Sequence, residues 1–175
     1  MMKPDPVVFF LISILVIASI MDILSSRIPN WLTFPALAAG ISYFTMVKGY
    51  EGFLFSLAGA AAGFGLLILP FIIGGTGAGD LKLLGAVGSI LGAQGVFAVF
   101  IFSSILGGIY ALAALAAKGL LAATFRRYGI ILKGFIITQQ FVYIPPGIKE
   151  KEIKIKFGLA IALGTGSYLS FGFYT

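Results

Sequence analysis

Two aspartates lie within strongly apolar sequence, where an acid is most readily explained by chemistry. Asp22 falls near the end of the apolar run 7–24, and Asp80 follows the glycine-rich stretch 74–79. A charged side chain at the centre of a membrane helix costs about 2.5–3.5 kcal/mol, so each acid marks a candidate functional site. Glycine permits unusual backbone and close chain approach, and irregular backbone within a membrane survives only beside protein or water. The pattern predicts a water-accessible cleft with Asp80 on its wall.

Two neighbouring carboxylates can hydrolyse an amide bond between them. They titrate as a coupled pair that holds one proton near neutral pH. The ionised member takes a proton from the attacking water, and the protonated member donates a hydrogen bond to the carbonyl oxygen. This is the chemistry of aspartic proteases, and it needs neither metal nor cofactor. The absence of Cys and His excludes thiolate nucleophiles, a Ser-His-Asp triad and the usual zinc or haem ligands.

The composition is that of an integral membrane protein. Of its 175 residues, 59% are hydrophobic and 10% charged, and the mean hydropathy is +1.08. Several apolar runs approach or exceed the roughly 18–20 residues of a membrane-spanning helix, and they lack the alternation of a β-barrel. We expect one all-α, polytopic membrane domain over 1–175, with about six spans. The predicted spans are 7–24, 31–47, 53–73, 81–92, 96–117 and 157–173, with a turn at 48–51.

The placement of the cations predicts the orientation of these spans. All Lys and Arg residues except Lys3 and Lys48 follow the first, third or fifth span. Cytosolic loops carry the excess of positive charge, so both termini are expected outside, with 118–156 as a basic cytosolic loop. Segment 130–143 within it is expected to lie at the membrane interface. We assign the basic loops to topology and anionic lipid, and we expect no nucleic-acid partner.

Two motifs resemble those of the type IV prepilin peptidases, which are integral membrane aspartic proteases. Residues 22–33 read DILSSRIPNWLT, similar to the family's first aspartate and IPN-type turn, and 77–83 read GAGDLKL, similar to its GxGDxK motif. Residues 157–164, FGLAIALG, are similar to its closing span. The resemblance implies that Asp22 and Asp80 are the catalytic pair. The expected active-site loop and its support comprise Gly77, Gly79, Lys82, Arg27 and Asn30.

The implied substrates are prepilin or pseudopilin proteins, whose short basic leader ends in Gly before an apolar helix. Cleavage is expected at the cytosolic face of the inner (cytoplasmic) membrane, where the predicted topology places both acids. Larger bacterial members carry paired CxxC motifs and also methylate the new N-terminus. This chain has no Cys. We therefore expect peptidase activity without methyl transfer, as in the short Tad/Cpa-type members.

Presenilin-like GxGD proteases are less similar, because their PAL motif follows GxGD. Here PAL occupies 35–37 and precedes it. The small-residue face at 59–63 allows close helix packing and leaves open whether the protein forms homo-oligomers.

Simpler roles exist for both acids. Asp22 could be a helix-terminal acid paired with Arg27. Asp80 could serve as the N-cap of a helix that opens at Leu81, a role that is compatible with catalysis.

The neighbouring residues also have structural alternatives. Gly77 and Gly79 could be packing glycines. Lys82 could reach lipid headgroups or stabilise an ionised aspartate. Arg27 and Asn30 could only set topology and terminate a helix.

Two other functions would use or tolerate the same acids. A proton-coupled transporter also places acids within the membrane, but it usually has inverted repeats with matching helix breaks, whereas only one half here has the glycine-acid break. A protease holds both acids at one membrane edge, and a proton relay staggers them. An inactive structural subunit would tolerate replacement of either aspartate.

Overall fold

The computed structural model describes residues 6–139, 147 and 156–171, and the elements in these ranges are helices. They are α1 (Pro6–Ser25), α2 (Asn30–Ile72), α3 (Ala78–Ala117), α4 (Leu121–Thr138) and α5 (Phe157–Ser170). Helices α1, α2 and α3 are long and apolar enough to cross a membrane, and α5 is a shorter apolar helix. The prediction of an all-α membrane protein is confirmed.

Helix α2 folds back on itself at Gly49, within the predicted turn at 48–51. Gly49 has φ 61° and ψ −139°, a conformation that L side chains rarely adopt. Beyond it, Ser56 Oγ donates a hydrogen bond of 3.2 Å to the carbonyl oxygen of Gly40. In a straight helix these two residues would lie about 24 Å apart. The Phe44 and Phe55 rings also meet, with centroids 5.0 Å apart. Element α2 is therefore a pair of antiparallel helical segments.

Helix α3 begins at Ala78, three residues before the predicted start at Leu81, and its backbone breaks at Gly92 (φ 73°, ψ 177°). The segment 83–92 is buried throughout. A helix that is apolar on every side belongs in the interior of a bundle. This part of α3 is accordingly the centre of the core, with Leu83 and Ile90 fully enclosed.

The second segment of α2 and the first segment of α3 touch backbone to backbone. A Cβ atom added at Gly59 would lie 2.0 Å from the carbonyl oxygen of Gly88, and one added at Gly63 would lie 2.4 Å from that of Leu84. Only glycine allows this separation, as the small-residue face at 59–63 predicts. The face is occupied inside the chain, so it is not a free surface for self-association.

Helix α1 packs against α2 and α5 and turns its other side outward. Leu11 and Leu15 are buried on the packed side, whereas Phe9, Val16 and Ile20 are at least half exposed. A large exposed apolar surface of this kind suits lipid rather than water.

The chain divides into two compact units, Met1–Gly107 with Lys156–Thr175 and Gly108–Ile155. In the second unit, α4 carries Arg126, Arg127 and Lys133 among apolar residues. It covers part of the predicted interfacial segment 130–143, and residues 140–143 lie outside the described ranges. That this segment lies at the membrane surface stays a prediction.

The contact at Gly59 can be tested by adding one methyl group. Gly59→Ala places the new carbon 2.0 Å from a carbonyl oxygen, so the backbones must separate, and we expect a loss of about 1–3 kcal/mol of unfolding free energy. The matched control is Gly65→Ala on the same helical segment, where a Cβ meets nothing within 4 Å. That change should leave stability equal or higher, because alanine favours helix by about 0.5–1 kcal/mol. Thermal unfolding in detergent, followed by circular dichroism, measures both; equal melting temperatures for the two variants would contradict the contact.

Candidate active site

Asp80 lies inside the first turn of α3 and is 8% exposed. Its Oδ2 accepts a hydrogen bond of 3.0 Å from the backbone N–H of Gly77. The first N–H groups of a helix have no partner within the helix, and a carboxylate there interacts favourably with the helix dipole. In a capping box, an acidic side chain at the third helical position accepts a hydrogen bond from the N–H of the N-cap residue, and Asp80 and Gly77 have this geometry. The expectation of Asp80 as an N-cap before Leu81 is therefore wrong: Asp80 satisfies the helix start from the third helical position, which lets the helix begin at Ala78.

Asp22 lies in the last turn of α1 and is 5% exposed. Its Oδ2 accepts a hydrogen bond of 3.3 Å from the backbone N–H of Leu159, in the first turn of α5. A Cβ atom added at Gly158 would lie 3.0 Å from the same oxygen. Arg27, the expected partner of Asp22, is exposed, and among the described residues no ion pair joins the two. The carboxylate of Asp22 is held by α5 instead.

Ile28, in the connection between α1 and α2, brings the two aspartate motifs together. It is 7% exposed. A Cβ added at Gly79 would lie 3.2 Å from both the backbone nitrogen and oxygen of Ile28, and one added at Gly158 would lie 2.8 Å from its Cδ1. Ile28 therefore packs between the residue before Asp80 and a neighbour of Asp22. Ile28 thus connects the segments that carry the two acids.

Lys82 joins α3 to the start of α2. Its ammonium donates a hydrogen bond of 2.8 Å to Asn30 Oδ1 and lies 5.1 Å from the centroid of the Phe34 ring. A cation at this distance from an aromatic face is attracted to it. The contact differs from both roles considered for Lys82, lipid headgroups and an ionised aspartate. Asn30 correspondingly does more than terminate a helix, because its side chain fixes the position of Lys82.

Sequence reasoning missed three residues that hold the site. Lys156 donates to the carbonyl oxygens of Asp22 at 2.8 Å and Ile23 at 3.3 Å and to Ser26 Oγ. Its one sequence signal is a lysine directly before an apolar run, which is equally typical of a cation that sets topology. Ile28 and Leu159 contribute an apolar side chain and a backbone N–H, neither of which has a chemical signature in sequence.

The site thus contains two buried carboxylates, those of Asp22 and Asp80, and Lys156 binds the backbone carbonyl of Asp22. Within the described ranges, no group of three or more His, Cys, Asp or Glu residues could hold a metal ion. The chemistry open to the two acids is proton exchange with a substrate and with water.

The chain matches a known protein family over a range that includes both aspartates of this site. The sequence model of the type IV leader peptidase family matches residues 9–112, which is more than half of the chain and includes both Asp22 and Asp80. Helix α5, with Leu159, lies beyond the matched range. The match confirms the resemblance carried by residues 22–33 and 77–83.

Curated proteins give the same result. The chain is 40% identical over 114 residues to a prepilin leader peptidase/N-methyltransferase of Bacillus subtilis (strain 168), covering 62% of this chain and 44% of that protein. It is 34% identical over 104 residues to the protein of the same name from Aeromonas salmonicida (strain A449), covering 55% and 35% respectively. The chain thus spans less than half the length of these relatives. No solved structure gives a significant match. The motifs and the family match together show that the chain belongs to the type IV leader peptidase family.

Proposed function

We propose that this protein is a membrane aspartic endopeptidase that removes the basic leader from prepilin or pseudopilin proteins. One observation carries the proposal: two buried carboxylates, Asp22 and Asp80, each accept a backbone N–H at the start of a helix, and Gly158 and Gly79 beside them both pack against Ile28. Membership of a leader peptidase family supports peptide hydrolysis, and the names of the curated relatives support prepilin leaders as the substrate.

The reaction needs one proton shared by the two acids. The ionised aspartate takes a proton from water as the water oxygen bonds to the carbonyl carbon of the scissile peptide. The protonated aspartate donates a hydrogen bond to the carbonyl oxygen, on which negative charge develops. Transfer of a proton to the amide nitrogen then breaks the carbon–nitrogen bond. The products are a leader carboxylate and a free amine, and the dyad returns to its starting protonation state.

Each carboxylate is fixed by one oxygen and reacts with the other. Oδ2 of Asp80 is held by Gly77 and Oδ2 of Asp22 by Leu159, so we assign the second oxygen of each acid to water and substrate. The hydrogen bond from Lys82 to Asn30 further links the helix that carries Asp80 to the start of α2. A staggered pair, as in a proton relay through the bilayer, fits less well, because both acids adjoin residues packed on Ile28.

We place the site at the cytosolic edge of the inner membrane in a protein with six spans. If straight, α2 with 43 residues and α3 with 40 would be about 65 and 60 Å long, roughly twice the hydrocarbon thickness of a bilayer. Breaks at Gly49 and Gly92 divide each into two spans, and α1 and α5 supply the others. The positive-inside rule then puts both termini outside and 118–156 in the cytosol.

This topology also fits the substrate. A basic leader stays on the cytosolic side, so its junction with the following apolar helix lies at the membrane edge beside the acids. The basic loops of this chain repel such a leader, and we assign them to anionic lipid.

Replacement of either acid should abolish cleavage. Asp22→Asn and Asp80→Asn keep an oxygen that can accept the backbone N–H but cannot exchange the catalytic proton. We expect kcat to fall about a hundredfold or more. The measurement is cleavage of a purified prepilin-like substrate in detergent, read as a shift on a gel. The matched control, Glu51→Gln, changes an exposed acid on α2 and should match the wild type. Full activity of either aspartate variant would refute the dyad.

The topology can be tested by single cysteines, since the chain has none of its own. Arg126→Cys should react with an impermeant maleimide only from the cytosolic side, whereas Lys48→Cys should react only from outside. Labelling is measured in intact cells and inverted vesicles. Reaction of both cysteines from the same side would be incompatible with the proposed arrangement.

The product should carry an unmethylated N-terminus. The methylating members resemble this chain in the peptidase segment but use paired CxxC motifs, and residues 1–175 contain no Cys. Mass spectrometry of the cleaved substrate, after reaction with S-adenosylmethionine present, distinguishes a free amine from a methylated one. Detection of the methylated product would overturn this part of the proposal.

A further inference from the structure

The ammonium group of Lys156 binds the backbone at the end of α1, next to the carboxylate of Asp22. It donates to the carbonyl oxygens of Asp22 (2.8 Å) and Ile23 (3.3 Å) and to Ser26 Oγ. An ammonium has three N–H donors, so these acceptors use its full capacity. The Asp22 carbonyl also accepts the Ser26 N–H at 2.9 Å, whereas the Ile23 carbonyl is among the last of the helix, where carbonyls lack partners within the helix and positive charge is favourable. Lys156 thus closes the C-terminal end of α1.

The next residues along the chain hold the side chain of the same aspartate. Helix α5 starts at Phe157, directly after Lys156, and its Leu159 N–H donates to Asp22 Oδ2 at 3.3 Å. A Cβ added at Gly158 would lie 3.0 Å from that oxygen and 2.8 Å from Ile28 Cδ1, so a side chain there would press on both neighbouring side chains. Asp22 is therefore held at two points by one short segment, through its backbone by Lys156 and through its carboxylate by α5.

We propose that Lys156 is a positioning residue for catalysis, which docks α5 so that the Leu159 N–H fixes the orientation of the Asp22 carboxylate. This inference rests on the proposed peptidase function. Neither the two catalytic-motif segments nor the family match, which ends at residue 112, includes Lys156. Its effect should fall on kcat rather than KM, because its contacts are to α1 and Ser26 and not to the open side of the site.

The test compares Lys156→Met with Lys156→Arg. Methionine keeps an apolar stem but loses the charge and all three donors, so Asp22 loses its orientation. We expect kcat, normalised to folded protein from gel filtration, to fall about ten- to a hundredfold with KM changed less than about twofold. Arginine keeps the charge and donors and should restore most of the activity. Lys48→Met is the matched control, since Lys48 contacts the Phe44 and Phe55 rings away from the site, and it should behave like the wild type.

Hydrogen exchange supplies a readout that does not depend on activity. The Leu159 amide donates to Asp22, so we expect it to be protected in the wild type, and Lys156→Met should raise its exchange while that of 83–92 stays unchanged. Wild-type kcat together with wild-type exchange in Lys156→Met would overturn the inference. A fall in kcat without faster exchange would overturn it as well, because the effect would not pass through α5.

A second pair of variants tests the same contact from α5. Gly158→Ala inserts a methyl group 3.0 Å from Asp22 Oδ2 and should lower kcat, whereas Gly166→Ala on the same helix meets nothing within 4 Å and should not. Equal kcat for these two variants would refute the close fit of α5 against Asp22. If the wild type cleaves no prepilin-like substrate, the proposed function fails, and the exchange comparison still decides whether Lys156 docks α5.

Discussion

Helix ends buried within a membrane protein must find hydrogen-bond partners inside the protein, and this requirement organises the site. A backbone N–H at the start of α3 donates to Asp80, one at the start of α5 donates to Asp22, and the Ile23 carbonyl at the end of α1 accepts from Lys156. In lipid each unsatisfied backbone group would cost several kcal/mol, so these contacts stabilise the fold whether or not the residues also take part in a reaction. The two acids are tolerated in an apolar bundle because each also completes a helix.

In the proposed mechanism, catalysis and stability depend on the same atoms. A carboxylate that binds a backbone N–H through one oxygen cannot rotate freely, and its second oxygen has a defined direction. Such preorganisation lowers the cost of reaching the transition state, since the groups need not be arranged during the reaction. Ile28 links the segments that carry the two acids, because Gly79 packs against its backbone and Gly158 against its side chain.

The sequence was sufficient for the features that depend on local chemistry. The position of Asp22 and Asp80 in apolar sequence agrees with their burial in the structure, and the polar turn at 48–51 predicts the reversal at Gly49. Prediction from the sequence failed for features that depend on contacts between distant segments of the chain. The predicted start of α3 at Leu81 is wrong because Asp80 binds the Gly77 N–H from inside the helix, and residue type alone does not reveal that the acceptors of Lys156 lie on α1. The role of a backbone group such as the Leu159 N–H cannot be predicted from residue type, because nearly every residue has the same backbone donor.

The origin of the Asp22 donor also has a consequence for biogenesis. Leu159 lies 137 residues after Asp22, so at about 5–20 residues per second it leaves the ribosome roughly ten seconds later. During that interval α1 is already made while its acid lacks the backbone donor that orients it. The proposed dyad is therefore complete only after α5 has been synthesised and inserted, although both aspartates precede it by far in the chain.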